Sequence, residues 1–182
     1  GAGAGHPPLD FLVVDIDSWD CAVAREILLV ARAKIVFVEI AFQIPPPFRF
    51  ARQHGGSAAD WRRSTYRNSK YLVTAGCSLS YAVQMFGELG YHMLAIRESD
   101  AIFVAKEIAH FFEDAFQVRL PQDEIACYQQ SLLWVHDDIP VEYIQEWFWA
   151  PEPEKVLDRV AGNLTLMGAA EGLEEVPFFL SL

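Results

Sequence analysis

Three carboxylate side chains lie close together near the start of the chain, at Asp15, Asp17 and Asp20. Carboxylates can act as nucleophiles, as proton acceptors and as ligands for divalent cations, so this segment is the first candidate for chemistry. An Asp-x-Asp pair after a strand is typical of haloacid-dehalogenase phosphatases and of metal-dependent glycosyltransferases. Trp19 stands where the phosphatase pattern has Thr or Val, and no later Lys and acidic pair completes that pattern. A third interpretation assigns one acid to a helix start and leaves the others in solvent.

The elements that would position these acids are a strand, a helix and a second strand. Residues 9–16 form a continuous apolar run, which is typical of a strand buried on both faces of a parallel sheet. Ser18 is the predicted N-cap of a helix that reaches Arg32, and residues 34–40 repeat the strand pattern. Open α/β sheets bind ligands at the carboxyl ends of such strands, which is where the acids lie.

A long segment without this periodicity follows, and further elements come after it. Residues 43–70 contain three consecutive prolines and a basic run, Ser78 is predicted to begin a helix that Gly90 ends, and residues 91–96 and 101–106 predict a hairpin. Beyond it, helices are predicted near residues 108–115, 125–132, 140–148 and 156–167, before an apolar tail. We expect the excursion and the tail to be contact surfaces. The candidate interaction residues are Arg62, Arg63, Arg67, Lys70, Phe178, Phe179 and Leu180.

Composition narrows the class of protein. A chain of 182 residues with 52% hydrophobic and 21% charged residues predicts one folded domain with an appendage. The net charge of −11 repels phosphate backbones, so we expect no nucleic acid partner, and no apolar run approaches the roughly 20 residues of a transmembrane helix. The five histidines are scattered and the three cysteines form no Cys-x-x-Cys pair. We therefore predict no metal site, and three buried free thiols in a reducing compartment.

The order and spacing of several short motifs over residues 9–106 resemble the carboxyl half of the FkbM-like class I methyltransferases. The matching motifs are Asp15-Ile16-Asp17-Ser18-Trp19-Asp20 with the helix after it, Val36-Phe37-Val38-Glu39-Ile40, Gly76-Cys77-Ser78-Leu79, Glu88-Leu89-Gly90-Tyr91 and Asp100-Ala101-Ile102-Phe103-Val104. The resemblance implies a partial Rossmann-like sheet with the family's strands four, five, seven and six, of which strand seven is antiparallel. Residues 107–182 would form a helical extension. Ser18 replaces a glycine of the family's pattern, which stiffens the turn after the first of these strands.

The resemblance also implies a site and a cofactor. Asp15, Asp17, Asp20 and Glu39 become candidate catalytic residues that face a methyl acceptor, and Trp19 becomes a candidate substrate contact. The family holds S-adenosylmethionine on a glycine-rich turn after its first strand and on an acid after its second. Neither feature is recognisable here, because no strand precedes the glycines of residues 1–8, which we interpret as a linker or fragment edge. We therefore expect this chain to hold no cofactor, and S-adenosylmethionine to bind only if an upstream half exists.

These observations predict a methyltransferase-like half-domain without enzymatic activity, acting as a structural subunit of a larger protein complex. We expect it to be intracellular, either soluble or peripheral to that complex. A location in an organelle and contacts with pigment or lipid are both compatible with this sequence. The alternative is the carboxyl part of an active S-adenosylmethionine-dependent methyltransferase. In the family's strand order the free side of the strand at residues 9–16 pairs with the first strand. We therefore expect another polypeptide segment to cover this apolar strand.

Overall fold

A computed structural model describes residues 9–16, 19–42, 44–52, 76–131 and 178–182, together with positions 152, 154, 157 and 161. These residues form an α/β fold with one mixed sheet of four strands and a separate pair of strands. In chain order the elements are β1 (Leu9–Val14), α1 (Asp20–Val30), β2 (Ala33–Glu39), β3 (Arg49–Arg52), α2 (Leu79–Glu88), β4 (Tyr91–Arg97), β5 (Asp100–Ala105), a 3-10 turn (Lys106–Ile108), α3 (Ala109–Phe116), α4 (Glu124–Ser131) and β6 (Phe178–Ser181). No helix in the described ranges is long and apolar enough to cross a bilayer.

The strand-helix-strand unit predicted from the first 40 residues is confirmed. β1 and β2 pair in parallel from Leu9 with Ala33 to Val14 with Val38, and α1 connects them. The helix starts later than predicted, because its N-cap is Trp19, whose side chain makes no capping hydrogen bond. Ser18, the predicted N-cap, lies outside the described residues. Asp20 takes the first position of α1, where a negative charge complements the helix dipole.

The predicted hairpin is also confirmed, and it inserts its second strand into the sheet. The order of the strands is β1-β2-β5-β4, with β5 antiparallel to both of its neighbours. Glu98 and Ser99 make the turn, and Glu98 adopts a left-handed φ of 57°. Gly90 ends α2 with a φ of 87°, a conformation that glycine adopts without steric cost. The sheet is therefore mixed, parallel between β1 and β2 and antiparallel on both sides of β5.

The two faces of the sheet differ in burial. One face packs into the core with α1 and α2, and it carries Leu12, Val14, Val36, Val38 and Phe103. On the opposite face Phe11 and Val13 are 60% and 66% exposed, although Phe37 lies between β1 and β5 on that side. The prediction that the first strand is buried on both faces is therefore wrong. β1 alternates as a strand does when only one of its sides reaches the core.

Arg32 joins three elements at the end of the sheet remote from the acids. Its guanidinium donates to both carboxylate oxygens of Glu107 at 2.9 and 3.1 Å, and to the carbonyls of Leu89 and Gly90 at 2.6 and 3.2 Å. The same group lies 4.4 Å from the centre of the Tyr91 ring. One side chain therefore connects the segment between α1 and β2 with the α2–β4 turn and the 3-10 turn after β5.

The tail pairs with its own chain, an arrangement that we did not predict. β6 lies antiparallel to β3, with Phe50 opposite Leu180 and Ala51 opposite Phe179. The Phe179 ring lies 6.0 Å from that of Tyr81 on α2, and the Phe179 side chain is 40% exposed. The tail thus pairs with residues 49–52 of the segment at 43–70. The helices predicted after Pro140 and Pro153 fall mostly outside the described residues.

Candidate carboxylate site at one end of the sheet

Three acidic side chains meet where β1 and β2 end. Carboxylate oxygens of Asp15, Asp20 and Glu39 all lie within 4.8 Å of one another. Asp15 follows β1, Glu39 is the last residue of β2, and the parallel pairing brings these two ends together. Asp15 is exposed, Glu39 is half-buried and Asp20 is buried. We define these three residues as the carboxylate cluster.

Asp20 also shapes the turn that enters α1. Its Oδ1 accepts a hydrogen bond of 2.7 Å from the backbone N–H of Ile16, four residues earlier. This bond closes the chain between β1 and α1 into a loop and fixes the buried carboxylate beside its two neighbours. The bond satisfies one acceptor of this buried carboxylate.

A fourth acid, Asp100, adds to the negative charge at this end of the sheet. It begins β5 and is the direct antiparallel partner of Glu39. Partial burial raises the pKa of Asp100, and the charges of Asp15, Glu98 and Asp20 raise it further. Sequence analysis missed Asp100 as a site residue because it placed this acid only in a hairpin turn. The position of Asp100 beside Glu39 depends on the pairing of β5 with β2, which residue spacing alone does not show.

Three further residues, Gly76, Arg52 and Trp19, lie next to the carboxylate cluster. Gly76 adopts a φ of 69°, and a Cβ built on it would lie 3.9 Å from Asp20 Oδ2 and 3.9 Å from the Glu39 carbonyl oxygen. The Arg52 N–H donates to the Gly76 carbonyl at 3.0 Å. The buried guanidinium of Arg52 lies 5.5 Å from the centre of the Trp19 ring, which is itself buried. Trp19, a predicted substrate contact, therefore lies beside Asp20 as part of the protein interior.

A disulfide joins the two sides of this site. Cys21, in the first turn of α1, is bonded to Cys77, which follows Gly76, and both cysteines are buried. The prediction of three free thiols is therefore wrong for these two residues. Cys127 is free, half-buried on α4. Spacing along the chain could not reveal the pair, because 56 residues separate its members and neither belongs to a recognisable cysteine motif.

The arrangement has two chemical capacities. Three carboxylate oxygens at this spacing can hold a hard divalent cation such as Mg²⁺ or Ca²⁺, which prefers oxygen ligands. The exposed Asp15 can also accept a proton from a bound hydroxyl or amine.

The other predicted site residues are placed as follows. Asp17 lies outside the described residues, as do the four basic residues Arg62, Arg63, Arg67 and Lys70. Leu180 is half-buried in β6, beside the exposed Phe179. Phe178 is the first residue of that strand and pairs with Arg52 of β3.

Comparison of the chain with protein-family models, with curated proteins and with solved structures gives no match.

Proposed function

We propose that this chain is one half of a methyltransferase-like domain and acts as an assembly subunit whose strand β1 binds a further strand. The exposure of β1 carries the proposal. Among the described residues this strand pairs with β2 only, and its Phe11 and Val13 side chains are largely exposed. Soluble proteins protect apolar edge strands, because unpaired backbone groups beside apolar side chains recruit other strands.

The strand order of the resembled family indicates which kind of strand would bind beside β1. In the resembled family the position beside β1 belongs to the first strand, which runs parallel to it and carries the glycine-rich cofactor turn. An upstream segment of the same polypeptide or a separate subunit can supply that strand. A strand in this position would pair with the free backbone edge of β1, cover part of Phe11 and Val13 with its own side chains, and extend the sheet from four strands to five.

The carboxylate cluster supports a second candidate function, the acceptor side of an active methyltransferase. Its position at the carboxyl ends of β1 and β2 is where open α/β sheets place their chemistry. In this role the exposed Asp15 accepts the proton of an acceptor hydroxyl or amine, while the buried Asp20 holds the turn around it. The carboxylates also favour a cationic acceptor over an anionic one.

The assembly role is tested by placing a charge on the β1 edge. We expect the purified chain to self-associate in sedimentation velocity, and Val13→Lys to make it monomeric, because an edge lysine opposes strand addition. Val30→Lys is the matched control, since Val30 is a 79% exposed valine at the end of α1 and lies off the edge. If the wild-type chain is a stable monomer, and Val13→Lys changes neither its sedimentation nor its hydrogen exchange in β1, the proposal is wrong.

A further inference from the structure

The Cys21–Cys77 disulfide connects two backbone segments that form opposite sides of the carboxylate cluster. Cys21 directly follows Asp20, and Cys77 directly follows Gly76, which approaches both Asp20 and the end of β2. The Cα atoms of the two cysteines are 6.1 Å apart. Any change in this bond therefore acts on the backbone within one residue of a cluster carboxylate.

Hydrogen bonds hold the Cys77 side of the bond firmly. The Cys77 carbonyl accepts from the Ala41 N–H at 2.7 Å, and the Ser78 N–H donates to the Phe50 carbonyl at 2.8 Å. The Ser78 hydroxyl, which caps α2, accepts from the Phe50 N–H and donates to the Phe48 carbonyl. This segment is tied to the residues after β2 and to β3 independently of the disulfide.

The Cys21 side has different support. It belongs to the first turn of α1, whose N-cap Trp19 provides no side-chain cap. A missing side-chain cap removes one source of stabilisation at a helix start. The first turn of a helix also frays most readily, since its first N–H groups have no partner within the helix. The Asp20–Ile16 hydrogen bond also holds this turn, but it joins residues four positions apart and does not link the turn to the Cys77 segment. Opening of the disulfide would therefore remove the covalent link between the start of α1 and the Cys77 segment, and leave the latter in place.

We propose that the Cys21–Cys77 pair is a thiol–disulfide switch that sets the order of the carboxylate cluster. In the oxidised state the bond holds Asp20 against Gly76 and beside Glu39. A dithiol reductant donates two electrons and two protons, so that Cys21 and Cys77 become thiols while the reductant closes its own disulfide. The first turn of α1 then loosens, and the position of Asp20 in the cluster no longer has a covalent link to the Cys77 segment behind it.

Two features fit this switch. Both sulfur atoms are buried, so a reductant reaches them when the first turn of α1 opens, and the rate of exchange is tied to that opening. The third cysteine is a poor competitor for the pair, because burial raises the pKa of the Cys127 thiol and keeps it protonated. The proposal does not depend on methyl transfer or on strand addition at β1.

The test is hydrogen exchange of the full chain, read by mass spectrometry before and after reduction with a dithiol. We expect exchange in the peptide covering residues 16–24 to rise roughly tenfold or more on reduction. Peptides from β2, β4 and β5 should keep their rates, and reoxidation should restore the slow state. Cys21→Ala/Cys77→Ala should exchange fast with or without reductant, while Cys127→Ala should respond like the wild type.

Three outcomes overturn the switch. Unchanged exchange at residues 16–24 on reduction would show that the bond does not control α1. Faster exchange in every peptide would show that the bond only stabilises the fold as a whole. Titration of three free thiols after treatment with an oxidised dithiol would show that Cys21 and Cys77 do not pair. None of these results depends on how the β1 edge behaves, so failure here is separable from failure of the assembly role.

Discussion

The Arg32 guanidinium makes a quantitative prediction possible, because three variants remove different parts of its contacts. Arg32→Met removes every hydrogen bond of the guanidinium. Arg32→Lys keeps the positive charge but loses the planar guanidinium that donates to several acceptors at once, and Glu107→Gln removes only the negative charge of the partner. Each variant changes the surface little, since both side chains of the ion pair are partly exposed, at 39% and 57%. Differences between the variants therefore report on the bonds of the guanidinium.

The structure sets the order of the effects. The bonds to the Leu89 and Gly90 carbonyls are charge-assisted and partly buried, and each contributes about 1 kcal/mol. Contact with the Tyr91 ring adds about 0.5 kcal/mol, and the ion pair with Glu107 is screened by solvent and contributes about 0.5 kcal/mol. We expect Arg32→Met to lower the free energy of unfolding by about 3 kcal/mol, Arg32→Lys by about 1 to 2 kcal/mol, and Glu107→Gln by about 0.5 kcal/mol.

Urea denaturation at two pH values measures these effects. The hydrogen bond from Arg32 lowers the pKa of Glu107, so the folded state holds this carboxylate ionised more readily than the unfolded chain does. The stabilisation is therefore fully present above the ordinary glutamate pKa of about 4.3 and is lost as the pH falls through the lower folded value. Glu107→Gln should lack this pH dependence. A loss for Glu107→Gln as large as that for Arg32→Met would refute the reasoning, since the ion pair would then dominate over the carbonyl bonds.

Two further predictions concern the turn after α2 and the acids. Gly90→Ala should lower the free energy of unfolding by about 1 to 2 kcal/mol, because the φ of this residue is 87° and the new Cβ would lie 3.3 Å from the Arg32 guanidinium. Gly87→Ala inside α2 should raise the free energy of unfolding by about 0.5 to 1 kcal/mol, because its Cβ would meet nothing within 4 Å. A calorimetric melt of both variants checks these opposite signs. Asp100→Asn should stabilise the chain by a few tenths of a kcal/mol at pH 7, because burial and neighbouring acids raise the pKa of Asp100 and penalise its charged form. The penalty appears as the pH rises from the ordinary Asp pKa through the raised folded value, so the gain should vanish below about pH 3.9, and a gain that persists there would contradict this origin.

Local patterns in the sequence were sufficient for most of the sheet. The apolar runs at β1 and β2 are short and continuous, and the polar turn between β4 and β5 marks a hairpin, so the elements follow from spacing alone. Ser78 and Gly90 were placed correctly because each meets a local demand, a side-chain acceptor at a helix start and a left-handed residue at its end.

Features that depend on distant contacts could not be predicted in this way. The pairing of β6 with β3 joins residues that are more than 120 positions apart, as Phe50 opposite Leu180 shows. The disulfide and the approach of Asp100 to the acids likewise depend on packing between separate elements. The burial of Asp20 could not be predicted either, because an aspartate at a helix start is usually exposed to solvent. Its buried position is seen only in the structure, where its carboxylate accepts a hydrogen bond from the Ile16 N–H.

The position of β5 between β2 and β4 has a consequence for the order in which the fold assembles. The β4–β5 hairpin closes over two residues, so its contacts are local, whereas the parallel pairing of β1 with β2 must close over helix α1. The central strand pair of the sheet, β2 with β5, joins Ile35 to Val104 and forms only when the two units meet. That docking step also places Asp100 opposite Glu39. Electrostatic repulsion between the acids is thus concentrated in the step that completes the sheet, and the hydrophobic pairs along β2 and β5 must overcome it.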